Sequence, residues 1–306
     1  MKDIKYKIIK KFSNRDFSVK DNLKIFRTLQ KMINPVKKES EFKDVFLNLK
    51  TRKIKIRIYN DFEDKKDHKM ILYFHGGGWV SGSLESYTNV CYELSKKTNR
   101  IVLLVEYRLA PEYPFPAGFE DCYEIAHLLI KNCKAFNLEP KDIVLMGDSA
   151  GGNLVAAISQ KARDTKDFKI DKNILLYPAL QNDYSLNSKY KSLLENGSDY
   201  MLTRKNIEEF MDLYTENEKD KLNPYAAPLL QKDFKNLPKT LIITCELDPL
   251  RDEGREYVEK LKESNNEVNH IEYKGALHGF FSNILEKNYR IKMYEDIQLF
   301  LGEENE

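Results

Sequence analysis

"DIVLMGDSAGGNLVAAISQKA", residues 142–162, passes from a short apolar run through three glycines, an aspartate, a serine and an alanine into a helix-length segment. A continuous apolar run of this length reads as a strand buried on both faces. The segment after it reads as a helix. Between them the pattern G-x-S-x-G sets Ser149 on a tight strand-to-helix turn. Small residues flank it because the backbone there is crowded by neighbouring strands. Such a turn lifts the Ser149 hydroxyl above the C-terminal edge of a sheet. It also aims the free N–H groups of the helix's first turn at the same spot. A phosphate-binding loop would need G-x-x-x-x-G-K-[ST], and the sequence holds no such match.

Working outward, the same texture recurs. Residues 70–74, 101–107, 173–177 and 240–245 are further apolar runs, and 268–273 adds another strand. Helix-length segments lie between and after them, at about 86–98, 118–135, 149–163, 252–264 and 288–301. Strands alternating with helices imply right-handed crossovers and a mostly parallel central sheet flanked by helices, an α/β fold. "KIKIRIY", residues 53–59, alternates strictly and predicts a half-exposed antiparallel strand. Two stretches break the alternation. Up to about residue 35 the pattern is helical, with Val19, Leu23, Phe26 and Ile33 on one stripe. Residues 183–222 show no strand, but Ile207, Phe210, Met211 and Tyr214 fall at helical spacing. The expected organisation is therefore N-terminal cap helices over 1–45 and a catalytic domain over 46–306, with a cap insertion at about 183–222.

Composition narrows the function classes. The chain has 306 residues, with Lys and Arg totalling 50 against 48 for Asp and Glu. That balance argues against a nucleic-acid binder, which carries a basic excess. The cysteines Cys91, Cys122, Cys133 and Cys245 are scattered without a C-x-x-C, so they predict reduced core residues rather than a zinc cluster or a disulfide framework. No run is long enough to span a membrane. The basic N-terminus carries Ile4, Ile8 and Phe12 at helical spacing without the apolar core of a signal peptide. It reads as an amphipathic helix lying on its own protein rather than on a membrane, and the expected location is the cytoplasm.

A serine hydroxyl is a weak nucleophile and needs an oriented base. Five histidines are available. His270 sits in a strand pattern, His127 on a helix, His68 in a charged loop on the wrong side of a strand, and His75 among glycines. His278 lies between the last strand and the last helix, at the correct edge, and is the expected base. For the acid, "CELDPLRDEG" offers Glu246, Asp248, Asp252 and Glu253. Asp248 follows its strand closely enough to fold over the edge and is favoured. Asp252 reads as a first-turn helix residue. "HGGGW", residues 75–79, follows the strand 70–74. Consecutive glycines let backbone N–H groups turn inward, where they can hold the oxyanion of an acyl-transfer intermediate. A single His beside glycines does not make a metal site, and neither metal nor cofactor is expected.

"HGGGW", "EYRLAPEYPFPA" (106–117), "GDSAGG", "DPLRDEG" and "HGF" together resemble the hormone-sensitive-lipase-like, or family IV, esterases of the α/β-hydrolases. The resemblance covers roughly residues 70–301 and includes the chain order Ser, Asp, His. It implies an α/β-hydrolase fold with Ser149 as nucleophile, His278 as general base and acid, and Asp248 as orienting carboxylate. It implies oxyanion donors at the N–H groups of Gly77, Gly78 and Ala150. Tyr107 and Arg108 are expected to brace the glycine loop, and Asp148 to hold the turn. Plant gibberellin receptors of the same family lack the catalytic histidine, which this chain keeps. The implied activity is hydrolysis of short-chain acyl esters, acetyl to roughly hexanoyl, on a small-molecule substrate. An amide or formamide hydrolase is the alternative, and a ligand-binding protein with a vestigial site a further one. Phe26, Met211 and Tyr214 are candidate pocket residues. Family members pair through the sheet edge, which makes a homodimer an open expectation.

Overall fold

The computed structural model of the chain describes residues 18–33, 36–60, 69–198, 200–282 and 286–302. The basic stretch with Ile4, Ile8 and Phe12 lies outside these residues, as do His68 and the Ile33 side chain. The strands are β1 (Lys43–Asn48), β2 (Lys53–Tyr59), β3 (Met70–Phe74), β4 (Ile101–Val105), β5 (Ile143–Asp148), β6 (Lys172–Leu176), β7 (Lys239–Leu247) and β8 (Val268–Leu277). They form one sheet in the order β1-β2-β4-β3-β5-β6-β7-β8. β1 and β2 pair antiparallel, as do β2 and β4; from β4 onward every pairing is parallel.

The apolar runs are continuous because both faces of the sheet are covered. Along β3, Met70, Leu72 and Phe74 enter one core cluster while Ile71 and Tyr73 enter the other. The helices α3 (Ala117–Lys131), α4 (Ala150–Thr165) and α8 (Arg251–Glu263) supply Ile125, Leu129, Leu154, Ile158, Val258 and Leu261 to the first cluster. The helices α2 (Leu84–Lys97) and α9 (Lys287–Leu301) supply Val90, Leu94, Met293 and Ile297 to the second. Each such side chain, fully buried, contributes about 1.5–3 kcal/mol relative to exposure.

β2 is antiparallel with Ile54 and Ile56 buried, as its alternation predicts, but it is not half-exposed: Arg57 and Tyr59 on the opposite face are buried as well. β1 has no counterpart in the sequence reading. Its "KDVFLN" is an edge strand without a buried residue, so it lacks the hydrophobic signature of its neighbours. The boundary expected at 45–46 falls inside it.

The remaining helices form a layer outside the alternation: α1 (Leu23–Ile33), α5 (Lys191–Asn196), α6 (Arg204–Tyr214) and α7 (Glu218–Lys221). α1 and α6 meet at Phe26 and Phe210, whose ring centroids lie 5.9 Å apart. The Glu209 carboxylate accepts from the N–H groups of Val19 at 2.6 Å and Lys20 at 3.2 Å. Arg27 of α1 donates to the carbonyls of Val80 (2.7 Å) and Ala110 (2.8 Å) and pairs with Glu112.

Candidate active site

Parallel strands deliver the candidate residues to one edge. "HGGGW" begins where β3 ends, Ser149 follows β5, Asp248 follows β7 and His278 follows β8. All lie at strand C-termini, where α/β sheets open their crevices.

Ser149 adopts φ 53° and ψ −117°, outside ordinary helix and strand conformations. Its N–H donates to Leu176 at 2.8 Å, and its carbonyl accepts from Asn153 and Ala179. Gly151 must be glycine because a Cβ there would run into the Phe74 carbonyl. His278 Nε2 lies 3.0 Å from Ser149 Oγ, and His278 Nδ1 lies 2.8 Å from Asp248 Oδ2. A carboxylate oxygen only accepts, so the imidazole proton sits on Nδ1 and Nε2 is left to accept from the serine hydroxyl. Asp248 is fully buried, and its Oδ1 accepts from the Leu250 N–H at 2.8 Å. The Tyr177 ring meets His278 edge-on at 4.8 Å.

The other acids of "CELDPLRDEG" face elsewhere. Asp252, in the first turn of α8, accepts from the Ser192 N–H and pairs with Arg251. Glu246 accepts from the Gly275 N–H. Glu253, buried, accepts from the Leu180 N–H and the Tyr184 hydroxyl, and burial pushes its carboxyl well above the usual range.

Asp148 ties the turn to the glycine loop. Oδ1 accepts from the Tyr73 hydroxyl (2.7 Å) and the Gly76 N–H (2.9 Å), and Oδ2 from Tyr87 (2.9 Å) and Tyr177 (3.4 Å). Burial still raises its carboxyl above the ordinary aspartate value. Tyr107 does brace the loop: its hydroxyl donates to the His75 carbonyl at 2.7 Å and its ring stacks on His75. Arg108 does not. Its guanidinium is taken by Asp121 and the Ala117 carbonyl, so it fastens the start of α3 instead. Sequence proximity to Tyr107 gave no signal of that separate partner. His75 is buried, and its imidazole is pushed down to about 4 by burial.

Gly76 already donates to Tyr87 and Asp148. Among the described residues, none accepts from the N–H of Gly77, Gly78 or Ala150. Gly77 and Gly78 line the same cavity as Ser149.

Ser149 and His278 open on a cavity of about 290 Å³ whose walls include Gly77, Gly78, Phe26, Leu202, Asn206 and Phe210. Phe26 lines it, as the sequence suggests. Met211 and Tyr214 do not: Met211 is buried in the core, and Tyr214 stacks on Trp79 at 4.4 Å. Helical spacing marks the apolar face of α6 but not which edge of that face meets the cavity, so Phe210, Asn206, Met201 and Leu202 went unrecognised. Among the described residues no cluster of His, Cys, Asp or Glu could hold a metal ion. No helix there is long and apolar enough to cross a membrane.

Comparisons with known proteins agree with this fold. A family model described as "alpha/beta hydrolase fold" matches residues 71–282. An arylesterase of Saccharolobus solfataricus is 33% identical over 244 residues, covering 79% of this chain and 78% of that protein. Bovine (Bos taurus) arylacetamide deacetylase is 33% identical, covering 76% of this chain and 74% of its own. A hyperthermophilic esterase from the archaeon Pyrobaculum calidifontis is 32% identical and superposes with a TM-score of 0.83, covering 96% of this chain and 97% of that structure. The chain belongs to the α/β-hydrolase family, in the hormone-sensitive-lipase-like branch that its motifs resemble.

Proposed function

We propose that this carboxylic ester hydrolase cleaves short-chain acyl esters through Ser149, His278 and Asp248. The observation that carries the reading is the unbroken hydrogen-bonded row from Asp248 through His278 to Ser149 Oγ, opening on a cavity. In the proposed reaction Ser149 Oγ attacks the ester carbonyl carbon as its proton passes to His278 Nε2. Asp248 holds Nδ1–H and balances the imidazolium. The N–H groups of Gly77, Gly78 and Ala150 receive the oxyanion, each worth about 3 kcal/mol of transition-state stabilisation. His278 returns the proton to the leaving alkoxide, which departs as the alcohol. Water then enters, gives a proton to Nε2, and its oxygen attacks the acyl carbon; the bond to Ser149 Oγ breaks, Nε2 returns the proton to Oγ, and the acid is released.

The preference for short acyl groups rests on size. A cavity of about 290 Å³ stands at the lower end of ligand pockets, which run from roughly 300 to 1,000 Å³. The helix before β1 and those within 183–222 together act as one cap in this reading, joined by the Phe26–Phe210 contact and by Glu209. A homodimer and a cytoplasmic location belong to the same proposal; sedimentation and cell fractionation test them.

The test is hydrolysis of p-nitrophenyl acetate, butyrate, octanoate and palmitate by the wild type and Ser149→Ala. Activity that peaks at short chains and vanishes in the variant is expected. Absence of serine-dependent hydrolysis at every length would overturn the reading. The similarity to a deacetylase of arylacetamides favours a second reading, amide cleavage by the same groups. Matched p-nitroanilides, cleaved faster than the esters, would establish it.

A further inference from the structure

Phe210 of α6 lies against the Gly78 backbone of the glycine loop. Gly78 has φ +61°, and a Cβ built on it would fall 2.5 Å from the Phe210 ring. The ring therefore lies directly on the backbone that carries two of the free N–H groups. It also meets the Phe26 ring of α1, centroids 5.9 Å apart, and it is 7% exposed. Two elements distant in sequence thus close one wall of the cavity with a pair of rigid aromatic side chains.

Substrate orientation gives this wall a meaning. The leaving oxygen must face His278 Nε2 to receive its proton, and the carbonyl oxygen must face the glycine-loop N–H groups. The acyl substituent is then the group turned away from His278, toward the loop and the helices above it. Met201, 55% exposed, and Leu202 line the same cavity. Among the described residues the lining holds no lysine or arginine to receive a charged acyl group.

We propose that Phe210, braced by Phe26 and Gly78, is the residue that sets the upper size of the acyl group. The proposal rests on the esterase reading for the identity of the ligand but not for its test. A hydrophobic pocket discriminates by roughly 10-fold or more per methylene it can or cannot admit. Phe210→Ala and Phe210→Leu should therefore raise the octanoate-to-butyrate ratio of kcat/KM by at least about tenfold. Phe210→Trp should move the ratio the other way.

The same comparison is repeated without turnover. Calorimetric titration of p-nitrophenyl butyrate and octanoate into Ser149→Ala, with and without Phe210→Ala, reads the ratio of dissociation constants. That ratio should shift toward octanoate by a similar factor. An unchanged ratio in folded Phe210 variants, by both rates and binding, would overturn the proposal. So would a loss equal at every chain length, which would make the ring a brace for the glycine loop alone. If the wild type hydrolyses no ester, the esterase reading falls, and the binding ratio by itself decides the role of Phe210.

Discussion

The floor of the site and the roof above it are built by different means. The floor is held by directed hydrogen bonds to buried polar groups: four donors converge on Asp148, and Asp248 is fixed between His278 and the Leu250 N–H. The roof above the cavity brings in aromatic packing, Phe26 against Phe210, beside polar ties from Glu209, Arg27, Ser192 and Asn196. Directed bonds fix positions to a fraction of an ångström and tolerate little change. Packed rings tolerate substitution and adjust the space they enclose. From this difference we expect floor residues to govern kcat and roof residues to govern selectivity.

The comparison can be broken from its strongest point downward. His278→Ala should lower kcat by about 10⁶-fold, as loss of a triad base does elsewhere; stopped assays on p-nitrophenyl acetate measure it. Asp248→Asn should cost about 10⁴-fold, because an amide can donate to Nδ1 and so favours the wrong imidazole tautomer. If Asp248→Asn left kcat near wild type, the row of bonds would be structural only. Asp148→Asn removes the charge on which four donors converge. It should lower stability by about 2–3 kcal/mol in denaturant titrations and kcat by roughly 10- to 100-fold through a displaced glycine loop, with little change in KM.

A pH experiment isolates the buried His75. Its folded value lies at about 4, against 6.5 for the free side chain. A base depressed on folding contributes stability that is complete above the unfolded value and is lost as pH falls toward the folded one. Between pH 6.5 and about 4, His75 should therefore cost about 1.4 kcal/mol of stability per pH unit of acidification. His270, also lowered by burial, acts in the same direction. Melting of His75→Asn across this window should show a shallower loss than the wild type. The smallest effect belongs to the roof. Arg27→Met cuts the ties to Val80, Ala110 and Glu112. It should cost about 1 kcal/mol of stability and raise KM more than it lowers kcat. A larger drop in kcat than rise in KM would erase the distinction between floor and roof.

Legibility in the sequence follows the same division. The parallel strands were readable because burial on both faces leaves a continuous apolar run, as in residues 70–74 and 143–146. That Ser149, Asp248 and His278 would meet at one sheet edge was readable because each stands just past the end of a strand. β1 was not, since an edge strand with Lys43 and Asp44 at its start carries no such run. Nor was the cavity edge of α6. Phe210, Met211 and Tyr214 share one apolar face, and only three-dimensional packing turns Phe210 to the cavity and Tyr214 onto Trp79. The partner of Arg108 was hidden for the same reason: Asp121 is one of several acids within reach of the chain, and geometry alone selects it.

The central claim, that Ser149 is the nucleophile, is tested most directly by covalent labelling. The protein is treated with diethyl p-nitrophenyl phosphate while residual p-nitrophenyl butyrate hydrolysis is followed, and the adduct is mapped by mass spectrometry. The account predicts one diethylphosphoryl group per chain, on the peptide containing Ser149, accumulating in step with loss of activity and absent from Ser149→Ala. Hydrolysis that persists after Ser149 is fully labelled, or inactivation with the adduct on another residue, would contradict it.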